Sequence, residues 1–141
     1  MRAPDNADGP VIVTGASSGI GHAVCRRLAA IGRPIISVDI EENPKEVAVE
    51  QHYACDLNNE SNVAELLTDL VEDFDLSSVA SLINVAGVPG TQPASKVFEV
   101  NVLAVRRFSR FVASYLTAGS SIVNIGSISG NGWQQRIDTY R

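Results

Sequence analysis

Three glycines, Gly15, Gly19 and Gly21, stand close together directly after a short β-branched run, Val11-Ile12-Val13-Thr14. Glycines spaced this way permit a tight turn and let backbone N–H groups approach a pyrophosphate. A helix that starts among them aims its positive N-terminus at the same point. Ser17 and Ser18 lie inside the loop and can add hydroxyl donors, and Ile20 sits between the last two glycines. A glycine-rich turn without a ligand is the plain alternative, but a position between a strand and a helix favours nucleotide binding. No Gly-Lys-Ser or Gly-Lys-Thr is present, which argues against a loop for nucleoside triphosphates.

Four further segments follow apolar runs in the same way. Asp39 comes 24 residues after Gly15. An acid at about this distance can accept hydrogen bonds from the ribose hydroxyls of an adenosine and would repel a 2′-phosphate, which selects NAD over NADP. No Lys or Arg lies in the glycine loop to reverse that preference. Asp56, followed by Leu57, could accept from an adenine amino group or could serve its own turn or the next helix as a cap. Asn84-Val85-Ala86-Gly87 offers small residues suited to backbone lying close to a cofactor, or to a simple turn. Ser127, in Gly126-Ser127-Ile128-Ser129-Gly130, would face a ligand crevice if its loop closes a central strand, although loop serines are commonly polar surface. His22 is expected on the surface of the first helix and His52 at the start of a strand. Neither has the spacing of a Ser–His–Asp hydrolase triad.

The elements that must position these residues alternate along the chain. Strands are expected at residues 10–14, 34–39, 51–55, 79–84 and 121–126, with helices over 19–31, from the caps at 58–61 to Phe74, and 96–116. Val63, Leu66, Leu67, Leu70 and Val71 give the second helix its apolar face. Apolar strands alternating with helices imply a parallel sheet covered on both faces. Right-handed crossovers reduce this to a Rossmann-like, doubly wound α/β sheet as a single domain over residues 1–141. In such a sheet ligands bind beyond the carboxyl ends of the strands.

Composition fits this architecture and excludes others. The 141 residues are 45% hydrophobic and 19% charged, enough for a packed core. Eleven Lys and Arg stand against 16 Asp and Glu, a formal charge of −5, so no general attraction to nucleic acid or anionic membrane is expected. Cys25 and Cys55 are too few for a disulfide framework and read as small buried hydrophobes in a reducing compartment. The charge-free stretches at 76–95 and 111–135 are broken by Gly, Asn, Gln or Ser, and residues 1–8 lack an apolar signal segment. The expectation is a soluble cytoplasmic protein.

Taken in order, these residues resemble the short-chain dehydrogenase/reductase family over nearly the whole chain. Thr14-Gly15-Ala16-Ser17-Ser18-Gly19-Ile20-Gly21 is similar to the family's cofactor loop, and Asp39 to its NAD-selecting acid. Cys55-Asp56-Leu57 is similar to its adenine-contacting segment, and Asn84-Val85-Ala86-Gly87 to its Asn-Asn-Ala-Gly element with Val in second place. Asn101 matches the helical Asn that holds an active-site water, and the segment ending in Ser127 resembles the one carrying the catalytic Ser. The resemblance implies NAD as cofactor and hydride transfer to or from a secondary alcohol or ketone. It assigns Ser127 to stabilise the substrate oxygen, makes Asn101 a second catalytic residue, and implies a homo-oligomer.

Two departures bear on this expectation. The family pairs a catalytic Tyr with a Lys four residues later, whereas Tyr140 is followed by Arg141 and the sequence stops. Residues 130–136 and the short interval between Asp39 and Asp56 are instead similar to a subgroup like the 3α-hydroxysteroid dehydrogenases, which carries an insertion before its Tyr-Lys pair. On that basis Tyr140 is not assigned as catalytic, the substrate is expected to be steroid-like, and the chain reads as a truncated, inactive fragment. Its adenosine half-site could form, but binding of whole NAD should be weak or absent. Loss of downstream elements should expose one face of the fifth strand and of the long helix. The competing expectation is a non-catalytic dinucleotide-binding module, and a third is a relative by fold alone that binds no nucleotide.

Overall fold

The structure, a computed structural model, describes residues 8–42 and 46–127. Its centre is a parallel sheet of β1 (Val11–Thr14), β2 (Ile35–Asp39), β3 (Gln51–Ala54), β4 (Ser81–Asn84) and β5 (Ser121–Asn124), in the spatial order β3-β2-β1-β4-β5. The chain first winds outward from β1 to β3, then crosses back to β4 on the other side of β1. Strand order therefore reverses between β1 and β4, and Thr14 and Asn84, the last residues of those strands, lie side by side. In an open α/β sheet this is where a crevice forms at the carboxyl ends.

Parallel strands buried on both faces need unbroken apolar runs. All four residues of β1 are buried, as are Ile35, Ile36, Ser37 and Val38 of β2. Alternation along β1 divides the core in two. Ile12 packs into one cluster with Val63, Leu66 and Leu70 of α2 (Glu60–Asp73) and Phe108 and Val112 further on. Val11 and Val13 pack into the other with Cys25 of α1 (Gly19–Ala30). Asn59 caps α2, its side-chain oxygen accepting from the amides of Ser61 and Asn62 at 3.0 and 3.2 Å. Tyr53 donates to the Asp73 carboxylate at 2.6 Å and ties the edge strand β3 to the end of α2. Burial, followed by this carboxylate, holds the phenol above its ordinary pKa.

The single helix expected at 96–116 is a composite. α3 (Ala94–Phe98) runs into a π-helical turn, Glu99–Ala104, and then into α4 (Val105–Ala113). The expected cover over both faces is uneven. β5 is largely exposed, with Val123 at 43%, and Ile125 directly after it is at 44%. Phe98 and Val102 of the composite helix are exposed too.

Candidate functional site

A cleft of about 460 Å³ opens at the carboxyl ends of β1, β2, β3 and β4, within the usual size range of small-molecule sites. Gly15, Ser18, Gly19 and Ile20 form one wall, Asp39 and Asp56-Leu57 another, and Ala86-Gly87 a third. Nine of the site residues expected from the sequence are thus brought to one cavity by four different strand ends.

The glycine loop is shaped by close backbone approach. Gly15 has φ +68°, and a Cβ there would stand 2.7 Å from the Ala86 nitrogen. Gly19 has φ +49° and nothing within 4 Å of where its Cβ would be, so its backbone faces open space. Gly21 does not line the cleft. It is buried against the loop, where a Cβ would come within 1.9 Å of the Gly15 carbonyl oxygen. Ser18 precedes α1 in an extended conformation and makes no side-chain capping bond, and the first turn of α1 holds no acid. The first amides of α1 are therefore left to other acceptors, and the helix dipole adds positive potential at the same spot. That arrangement suits an anion in the cleft.

Ser17 behaves differently from the expected hydroxyl donor to a ligand. Its hydroxyl donates to the Glu42 carbonyl at 2.9 Å and its amide donates to Asp39 Oδ2 at 2.9 Å. Asp39 Oδ1 accepts from the Glu41 amide at 3.0 Å. Two amides fix the carboxylate at the cleft wall, and each oxygen keeps a further acceptor direction for a ligand hydroxyl.

Asp56 serves its own turn and also stands at the cleft. Oδ1 accepts from the Asn58 amide at 2.9 Å, closing its own turn, and the residue still lines the cleft. Cys55 beside it has its thiol pushed up to about 11, by burial first and then by the charges of Asp56 and Glu65. Cys25, behind the glycine loop, is likewise raised to about 11, by burial first and then by Asp39. Both thiols stay protonated near neutral pH and present no thiolate to the cleft.

Asn84 sits behind the cleft. It is 4% exposed and donates to Ser109 at 2.9 Å and to Asn124 at 2.8 Å, tying β4 to α4 and β5. The turn after it is held from two sides. The buried hydroxyl oxygen of Thr14 accepts from the amides of Val85 and Ala86 at 3.1 and 3.2 Å. Asn101, inside the π turn, accepts from the Val88 amide at 2.8 Å and donates back to the Val88 carbonyl at 2.9 Å. π turns are frequent at functional sites because the extra residue redirects a side chain. Ser127 lies three residues beyond β5, exposed and outside the lining of this cleft. Tyr140 lies outside the described residues.

Lys96 of α3 also lines the cleft and was not among the expected site residues. Its signal was present: it is the first charge after twenty uncharged residues. Ile40, Val38 and Val100 add apolar lining that single-sequence reading treats as core or turn.

Comparison with known proteins agrees with the geometry. The short chain dehydrogenase family profile matches residues 10–140. A coniferyl-alcohol dehydrogenase of a Pseudomonas species is 33% identical over 131 residues, covering 93% of this chain and 49% of that protein. The fold overlays a bulky-bulky ketone specific alcohol dehydrogenase from Comamonas testosteroni with a TM-score of 0.74 at 30% identity, covering 90% of this chain and 58% of the other. It overlays a 4-hydroxyisoleucine dehydrogenase, solved with NADH, with the same TM-score and identity, covering 87% and 56%. The chain spans about half the length of the curated relatives it matches. With its glycine loop and acid at the strand ends of one parallel sheet and an asparagine in the π turn bonded to the segment after β4, the chain belongs to the short-chain dehydrogenase family.

Proposed function

We propose that the chain forms the dinucleotide-binding half of an oxidoreductase that moves a hydride between NAD(H) and a secondary alcohol or ketone. The observation that carries this reading is the Asp39 carboxylate, fixed at the cleft wall by the amides of Ser17 and Glu41. Its remaining acceptor directions suit the two hydroxyls of an adenosine ribose, and its charge would repel a 2′-phosphate. Gly15, Gly19 and the first turn of α1 would take the pyrophosphate, with Ser18 and Ile20 beside it and Gly21 allowing the close packing. Asp56 and Leu57 would border the adenine, and Ala86 and Gly87 the path toward the nicotinamide, with Asn84 tying the end of β4 before their turn to α4 and β5. NAD supplies the hydride chemistry when bound.

In this reading Asn101 holds a water through the backbone of its π turn while its side chain fixes Val88, and Ser127 stabilises the reacting oxygen. In the enzyme of which this is the cofactor half, Ser127→Ala would lower turnover on the order of 10²-fold, the scale of one lost oxyanion donor. The likeness of residues 130–136 and of the Asp39–Asp56 interval to the 3α-hydroxysteroid dehydrogenases supports a bulky, steroid-like substrate. A structural relative specific for bulky ketones supports the same class. A homo-oligomer in the cytoplasm completes the proposal.

The test uses the adenosine half of the cofactor on the 141-residue chain. ADP-ribose binds, and its 2′-phosphorylated form binds at least tenfold more weakly by amide NMR titration. Asp39→Ala combined with Ile40→Arg reverses the order. Equal or better binding of the 2′-phosphate by the wild type overturns the assignment.

A further inference from the structure

We propose that His52 is a positioning residue for the ribose-binding carboxylate, an inference that rests on the cofactor reading above. His52 stands on β3 beside Ser37 of β2, its registered neighbour. Its Nε2 lies 3.0 Å from the Glu41 carbonyl oxygen, and its Nδ1 lies 2.9 Å from Ser37 Oγ. A carbonyl oxygen only accepts, so Nε2 carries the proton and donates to Glu41. In the neutral ring Nδ1 is then an acceptor, and the Ser37 hydroxyl donates to it. Ser37 is fully buried. The Gln51 carbonyl also lies 3.4 Å from its hydroxyl, but Nδ1 at 2.9 Å is the nearer acceptor, and this shorter bond sets the ring plane.

The consequence falls on the segment between Asp39 and Glu42. The Glu41 amide donates to Asp39 Oδ1, and the carbonyl of the same residue receives the His52 proton. From the opposite side Ser17 holds Asp39 Oδ2 through its amide and the Glu42 carbonyl through its hydroxyl. The carboxylate is thus gripped through one oxygen by the glycine loop and through the other by Glu41. Ile40 and Glu41 are themselves exposed and line the cleft. Little packing holds their backbone, and His52 supplies an anchor that reaches it from the sheet. Loss of that anchor would leave Asp39 attached to Ser17 while Oδ1 loses a fixed partner. The damage should appear where a ribose hydroxyl is bound, and not at the pyrophosphate.

The experiment compares ADP with 2′-deoxy-ADP on the full 141-residue chain by NMR titration. The ratio of the two affinities measures what the 2′-hydroxyl contributes at Asp39. His52→Phe keeps a ring and removes the donor. It is expected to weaken ADP about 3- to 10-fold, the scale of one net hydrogen bond, and to leave 2′-deoxy-ADP unchanged, so the ratio shrinks. His52→Gln, whose amide nitrogen can reach the Glu41 carbonyl, is expected to recover most of the ratio. Ser37→Ala keeps the imidazole without its orienting hydroxyl. It should shrink the ratio in the same direction, and it decides the case if the Phe variant does not fold. An unchanged ratio in a folded variant, or equal weakening of both nucleotides, overturns the inference and leaves the cofactor reading standing. Absence of ADP binding by the wild type overturns the cofactor reading and the inference together.

Discussion

Val13 and Val123 stand in one row of the sheet and differ in what surrounds them. The row runs from Val13 of β1 through Ile83 of β4 to Val123 of β5. Val13 is fully buried in the cluster beneath α1, whereas Val123 is 43% exposed. Toward the other edge the same row passes through Ser37 to His52, where hydrogen bonds continue the order into the Asp39 segment. The half of the sheet that carries the glycine loop and Asp39 is closed and cross-tied. The half that leads to Ser127 is open on this face among the described residues. Pre-organisation is therefore concentrated where an adenosine and a pyrophosphate would sit, because a backbone cradle works only if its amides are already in place.

The strongest way to break the closed half is at Gly21. A methyl group there would meet the Gly15 carbonyl oxygen at 1.9 Å and Ala16 Cα at 3.2 Å, both backbone of the loop itself. Gly21→Ala is expected to cost about 3 kcal/mol of stability through forced backbone movement. Binding of ADP should be lost with it. Urea unfolding followed by circular dichroism reads the first effect, and the NMR titration reads the second. Wild-type stability with lost binding would mean that the loop yields while the fold does not, and that the two are less coupled than the contact implies.

Thr14→Val is the next largest. It keeps the shape and removes the acceptor for the amides of Val85 and Ala86 at a position 2% exposed. Two half-buried amides left without their partner should together cost about 2 kcal/mol, visible in urea. Hydrogen exchange at those two amides should accelerate beyond what the global loss explains. Exchange that follows global stability alone would show that the turn after β4 is held by Asn101 and not by Thr14.

The closed half was also the more legible in sequence. β1 and β2 announce themselves because strands buried on both faces must be continuously apolar, and the glycines because only glycine tolerates positive φ and contact with neighbouring backbone. Less legible were features whose cause lies in a partner distant in sequence. Asn84 reads as a residue beside a cofactor or in a simple turn, and its side chain is a buried tie to Ser109 and Asn124, 25 and 40 positions away. Ser17 reads as a ligand donor and spends its hydroxyl on Glu42. The π turn leaves no mark on the apolar periodicity of 96–116, because Asn101 makes its bonds to Val88 from another segment altogether. His52 reads as an ordinary strand residue, since neither Ser37 nor Glu41 stands at a motif distance from it.

The smallest expected effect sharpens the opening contrast most directly. Val→Thr places a hydroxyl where a methyl was and keeps the shape, so it measures how well each position is sealed from water. At Val13 the hydroxyl enters a fully buried apolar cluster, and the cost should be about 2 kcal/mol. At Val123, nearly half exposed, the hydroxyl can stay hydrated, and the change should fall within about 0.5 kcal/mol. Both variants can be read in parallel by urea unfolding, at two protein concentrations tenfold apart. A cost at Val123 approaching that at Val13, and growing with protein concentration, would mean that a second copy of the chain covers the β5 face in solution. A small cost at both concentrations would leave that face open to water, and the contrast between the two ends of the row would then belong to the single chain.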